Sequence, residues 1–202
     1  DYYGLGSKYS KQFFSNNRSR TITLGMDYSN QQDDRKRFKN NLGVKGEITF
    51  DQIEKFKSTG LYFINQTDYK SGLLFRYGIR YDDNRIGTDS EAFISLNKFN
   101  PSFGISYSLN DANNIYFSSG TSFETPTLNE LSNNPSSNGL NKNLNPSSSI
   151  NYEIGWRKTN SKLIFEAIAY LINTDNEILP YELEQFPGKN FYRNVGSTRR
   201  YG

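Results

Sequence analysis

Alternation with a period of two residues runs through most of this chain, and it limits the fold more than any other feature. Between Ser149 and Lys158, Ile150, Tyr152, Ile154 and Trp156 fall on one face, and Asn151, Glu153, Gly155 and Arg157 on the other. Phe75, Tyr77, Ile79 and Tyr81 likewise oppose Arg76, Gly78, Arg80 and Asp82. Phe103, Ile105, Tyr107 and Leu109 oppose Gly104, Ser106 and Ser108. Such spacing marks strands with one apolar and one polar face, and helical periodicity is nearly absent. Nine segments carry the pattern, about 2–13, 20–31, 55–69, 72–86, 99–110, 114–124, 147–159, 162–175 and 191–202.

The connections alternate in length. Phe14 to Ser19, Lys70-Ser71, Asp111-Ala112-Asn113 and Asn160-Ser161 are short. Between them, Gln32 to Glu54, Gly87 to Lys98, Thr125 to Pro146 and Asn176 to Asn190 are long and polar. A soluble β-sandwich has no reason to alternate its turn lengths strictly. A transmembrane barrel has short turns at one rim, long loops at the other, and strands of about ten residues or more. The expected fold is therefore all-β: an antiparallel meander of nine long strands forming part of a transmembrane β-barrel. A soluble carbohydrate-binding sandwich stays open at this point.

Composition then excludes several functions. With no Cys and no His, thiol nucleophiles, zinc thiolate sites and histidine triads are out, so no enzyme is expected. No cofactor is implied either. A net charge of +3 spread along the chain is not the clustered footprint of a nucleic-acid binder. No run of about 18 apolar residues offers a membrane-spanning helix. The 15 Tyr and 15 Phe gather at strand ends and on apolar faces, as the aromatic girdles of a barrel require. Asp82, Asp83 and Asp89 lack the spacing of a calcium loop, and no metal site is expected. The run Arg35-Lys36-Arg37 reads as a charged loop tip able to meet lipopolysaccharide phosphates.

Three stretches carry a family likeness: SFETPTLNELS over Ser122–Ser132, LNPSSSINYEIGWR over Leu144–Arg157, and FYRNVGSTRRYG over Phe191–Gly202. In this order and spacing they resemble the barrel of TonB-dependent outer-membrane receptors, including the ferric-siderophore receptors. Gly25 to Phe38 is similar to an upstream strand and loop of such barrels. Ser147-Ser148 departs from the pattern, which commonly has Glu after the Pro. The resemblance implies residence in the outer membrane of a Gram-negative bacterium, contact with its lipid, and uptake of a siderophore or other small-molecule ligand. It also implies coupling to the TonB complex through a plug that these residues do not include. Transporter barrels have about 22 strands, so residues 1–202 are expected to be a partial barrel domain, folding as an open sheet or a small closed barrel. A passive pore or adhesin barrel is the alternative within the membrane class.

Pro126 ends a strand, since proline cannot donate to a ladder. Asn129 and Glu130 are placed to bond loop backbone, and Glu153 and Arg157 share the lumenal face. The residues expected to meet a ligand, at rigid strand ends or in the lumen, are Arg80, Asp82, Glu124, Asn151 and Tyr181. Arginine with aromatic rings suits an anionic iron chelate.

Overall fold

The computed structural model describes residues 1–136 and 139–202, so the share of the 125–146 loop expectation that falls on 137–138 lies outside the described residues. Nine strands form one antiparallel sheet in the order β1-β2-β3-β4-β5-β6-β7-β8-β11. They are β1 Tyr2–Ser15, β2 Arg18–Asn41, β3 Val44–Tyr69, β4 Leu73–Thr88, β5 Ile94–Asn110, β6 Asn113–Glu124, β7 Ser147–Thr159, β8 Ile164–Asp175 and β11 Thr198–Tyr201. Two short strands, β9 Ile178–Glu182 and β10 Asn190–Asn194, pair separately. A five-residue helix, α1 Leu128–Ser132, lies between β6 and β7. The sheet is open, with β1 and β11 at its edges. Among the described residues the only other sheet is the two-stranded β9–β10 pair, too small to form the second layer of a sandwich. No described helix is long and apolar enough to cross a membrane, which says nothing about crossing by strands.

Cross-strand partners share a face, so the register fixes the two surfaces. One outer row runs Tyr9, Leu24, Phe63, Ile79 and Pro101. Another runs Phe75, Ile105, Phe117, Ile154 and Ala169. On β5 the apolar row from Phe99 to Tyr107 spans about 27 Å at about 3.4 Å per residue, close to the band of about 25 Å that a barrel turns to lipid. Aromatic edges lock neighbouring strands there. Phe75 and Phe103 meet at 5.1 Å and 76°, and Trp156 and Phe165 at 5.4 Å and 62°.

The other face is polar, with three tyrosines laid flat on it. A Cβ at Gly25 or Gly155 would collide with the ring of Tyr62 or Tyr116. Glycine there lets each ring lie against the sheet of the neighbouring strand. Tyr116 Oη donates to Glu153 at 2.8 Å, and Arg157 pairs with Glu166 at 2.7 Å. Tyr62, Tyr116 and Tyr170 are thus lumenal, unlike most strand aromatics of the belt.

Several boundaries differ from the sequence expectation. Gln32 to Glu54 is not a loop: β2 and β3 run through it as 24- and 26-residue strands. Their turn is only Leu42-Gly43, with positive φ of 56° and 90°, the geometry of a two-residue hairpin turn. A barrel strand needs only about ten residues to cross a membrane, so this hairpin extends well past that length. Both of its sides are polar, so it carries no apolar stripe to betray a strand. The next connection shortens to 89–93, because β5 begins at Ile94. The expected strand 191–202 divides into β10 and β11, and Asn176 to Asn190 contains β9.

Candidate functional site

The long connection after β6 folds back over the mouth of the lumenal face. Thr127 Oγ1 accepts from Glu130 N–H at 3.2 Å, and Glu130 Oε2 accepts from Thr127 N–H at 2.7 Å. This reciprocal capping box is what starts α1. The helix then carries Leu131 onto Ile86 of β4, beside Leu140 and Leu144, each no more than 5% exposed. Phe56, Ile94, Leu96 and Tyr192 surround that cluster. A single sheet with one apolar and one polar face has no conventional interior. The mouth strap supplies the small core that exists.

Hydrogen bonds from two arginines and one ion pair bind the strap to the wall. Arg35 Nη1 donates to Glu54 Oε1 at 2.9 Å and also to Ser132 Oγ, and Arg35 Nη2 donates to Asn129 Oδ1 at 3.1 Å. Glu54 is 4% exposed, so its charge requires this partner. Arg37 donates to Asn133 at 3.2 Å, and burial followed by the nearby Arg35 charge lowers its pKa. The basic run is therefore not a free tip. Arg35 and Arg37 face the strap because strand alternation continues through them, while Lys36 points outward and pairs with Asp34 and Asp51. At the strap's far end, Lys142 lies 2.9 Å from Glu91, whose other oxygen accepts Leu140 N–H at 2.9 Å. The Lys142 ammonium, then the Leu140 N–H, hold the Glu91 carboxyl below its ordinary range.

Asn194 ties two distant motifs together. Its Oδ1 accepts Asn145 N–H at 2.7 Å, and its Nδ2 donates to the carbonyls of Asn145 and Asn176 at 2.8 and 2.7 Å. The Asn-Pro stretch and the Phe-Tyr-Arg-Asn stretch are thus two halves of one clamp.

Two of the five expected ligand residues come together. Arg80 donates to Asp82 at 2.7 Å and to Asp27 at 2.8 Å. Asn100 donates to the other Asp82 oxygen at 3.2 Å. The group sits at a lumenal depression of about 670 Å³. Glu124 is exposed at the end of β6, opposite Ser147. Asn151 faces the lumen opposite Gly120 and Ile172. Tyr181 lies in β9, 6.1 Å from the Phe191 ring, with the Arg193 guanidinium 5.1 Å from its own centroid. Sequence reading missed Asp27, Asn100, Glu54, Arg193 and Asn194, and placed Arg35 in a charged loop tip. Alternation extended through 31–37 would have found Arg35. Nothing local marks the others, since each partner is remote along the chain.

The profile of the family described as "TonB dependent receptor-like, beta-barrel" matches residues 1–202. The chain belongs to this family. Solved receptors and transporters of ferric and siderophore ligands share the fold. The unliganded ferric citrate transporter FecA is 20% identical at a TM-score of 0.75, with 100% of this chain on 31% of that one. The alcaligin receptor FauA from Bordetella pertussis is 20% identical at 0.71, with 98% on 34%. The siderophore receptor PirA from Pseudomonas aeruginosa is 16% identical at 0.73, with 100% on 38%. This TonB-dependent receptor barrel thus spans about a third of the structures it matches. In it the family's Pro-Thr-x-x-Glu signature has a local cause: Pro126 ends the strand, and Thr127 and Glu130 cap the helix that brings Leu131 inward.

Proposed function

We propose that the chain is a wall sector of a TonB-dependent transporter in the outer membrane of a Gram-negative bacterium, taking up a scarce nutrient, an iron chelate foremost. The observation that carries this reading is the two-faced sheet, with a mostly aromatic and aliphatic belt on one side and a charged lumen roofed by a packed strap on the other. The strands beyond β1 and β11 complete the barrel, because unpaired backbone is costly in lipid. A plug elsewhere in the protein links the lumen to TonB. Arg80, Asp82, Glu124, Asn151 and Tyr181 contact the ligand. Arg80 is already met by two carboxylates, so besides its own contact it holds Asp82 and Asp27 in position. Arg193 meets no carboxylate among the described residues, and with Tyr181 it receives the anionic part of the ligand.

Growth of a deletion strain under iron limitation tests the reading. The full-length gene is expected to restore growth on a ferric chelate only when the TonB system is intact. Restoration without TonB assigns the passive pore instead. Loss of the gene with no growth effect on any ferric chelate removes the iron reading. Arg193→Ala is expected to raise the chelate concentration needed for half-maximal growth.

A further inference from the structure

Between the strap and the β2–β3 hairpin lies a mouth cavity of about 670 Å³, lined by Gln31, Asp33, Glu54, Phe56, Pro126 and Leu128 among others. Its wall carries a like-charge pair. Asp33 and Glu54 are direct cross-strand partners on the lumenal face. Side chains so placed have Cβ atoms about 5 Å apart, and two like charges there repel. Glu54 is 4% exposed, so little water reaches its side of the pair.

One internal cation serves both carboxylates. Arg35 Nη1 donates to Glu54 Oε1 at 2.9 Å, and its further bonds go to Ser132 and Asn129 of the strap. Asp33 pairs with no cation among the described residues. Gln31 Nε2 donates to Asp33 Oδ2 at 2.6 Å, which leaves Oδ1. Lys36 lies on the opposite face of the strand and pairs with Asp34 and Asp51. Three acceptors are therefore left without a donor among the described residues: Asp33 Oδ1, Glu54 Oε2 and Gln31 Oε1.

We propose that this cavity binds a primary ammonium group of the transported ligand, with the adjoining methylenes against Phe56, Pro126 and Leu128. An ammonium brings three N–H donors and one positive charge. That matches three acceptors and one unbalanced carboxylate. An anion finds no donor of its own here: Arg35 is spent on Glu54 and the strap, Pro126 has no N–H, and Thr127 N–H donates to Glu130. A metal ion is poorly served too. No three metal-ligating side chains gather among the described residues, and calcium takes six or more oxygens. The cavity is opposite in sign to the Tyr181–Arg193 contact, so the chelate carries a free amine besides its anionic part. For its ligand the inference rests on the uptake reading above, which it deepens.

The test uses the full-length receptor in detergent, isotope-labelled at its leucine methyl groups. It is titrated with pentylamine, an ammonium at neutral pH, and with pentanol and pentanoate as neutral and anionic counterparts. The Leu128 methyl signals are expected to shift saturably with pentylamine alone. Asp33→Asn keeps an acceptor for Gln31 and removes the charge, and is expected to raise the apparent Kd about tenfold, the order for one charge-assisted hydrogen bond. Asp34→Asn, on the opposite face, is expected to change nothing. No response to pentylamine, an equal response to pentanol or pentanoate, or an unchanged Kd in Asp33→Asn overturns the site. Displacement of pentylamine by calcium chloride at matched ionic strength assigns a metal ion and overturns it too. TonB-dependent growth on a ferric chelate alongside any of these results leaves the uptake reading standing. Pentylamine binding by a receptor whose deletion alters growth on no ferric chelate removes the iron reading and keeps the ammonium site. Heat-modifiable gel mobility verifies that each variant is folded.

Discussion

Replacing Leu131 by Ala tests whether the mouth strap is a unit with its own small core. Leu131 is 1% exposed, and three other buried side chains, Ile86, Leu140 and Leu144, complete the cluster. A Leu→Ala change in a packed core costs about 3 kcal/mol once the cavity is included. The sheet does not depend on this cluster, because its ladders are formed with or without the strap, so the cost falls on strap docking. That corresponds to about a hundredfold rise in the strap's open population. Hydrogen exchange on the full-length receptor reads it directly. The reporters are Leu131 N–H, bonded to Thr127 O at 3.0 Å, and Asn141 N–H, bonded to Leu131 O at 2.7 Å. Both are expected to exchange about a hundredfold faster, while β4–β5 ladder amides stay unchanged. Unaltered strap exchange would show that the leucine cluster does not hold the strap. An equal acceleration of the ladder amides would show that strap and wall open as one body, which also refutes the reasoning.

Three further outcomes are expected. Thr127→Ala removes one side of the capping box and should loosen α1 by about 1 kcal/mol, read as a smaller rise in the same amides. Ile154→Arg places a charge in the outer belt between Phe117 and Ala169 and should cost about 2–4 kcal/mol in membrane refolding titrations. Ser118→Arg, on the lumenal face opposite Glu153, should cost far less, and equal costs would invalidate the face assignment. The Glu91–Lys142 pair should make strap docking acid-sensitive. The folded Glu91 pKa lies below its ordinary value, so its stabilisation is complete above about pH 4.3 and is lost as pH falls through the lower folded value. Strap exchange, corrected for intrinsic rates, should therefore accelerate as pH falls below about 4.3, and Glu91→Gln should abolish that difference.

Period-two spacing was sufficient to reveal which residues share a face, because a strand's side chains alternate whatever surrounds them. Ile150, Tyr152, Ile154 and Trp156 on one side, and Asn151, Glu153 and Arg157 on the other, needed no coordinates. The turn rhythm separated the two rims, and the Thr-Pro-Thr-x-x-Glu and Asn-Pro stretches indicated the family. The same logic failed from Gln32 to Glu54, where both strand faces are polar and the hydrophobic signal vanishes although the ladder continues. It failed again at 191–202, where a connection between β10 and β11 interrupts the apparent strand.

What only the tertiary structure decided is how residues far apart in sequence meet at the mouth. Arg35 reaches Ser132, Glu91 reaches Lys142, and Asn194 reaches both Asn145 and Asn176. Each is a polar contact that a strand pattern cannot encode, because hydrogen-bond partners are selected by the folded path of the chain and not by local spacing. The sequence by itself determined a two-faced wall. The fold determined that one loop turns inward, builds the only described leucine core, and roofs the lumen where Arg80 and Asp82 wait below. The physical reason is burial: a single sheet has no second layer of its own size to cover it, so the mouth, where the strap folds back, is where this chain packs apolar side chains against one another.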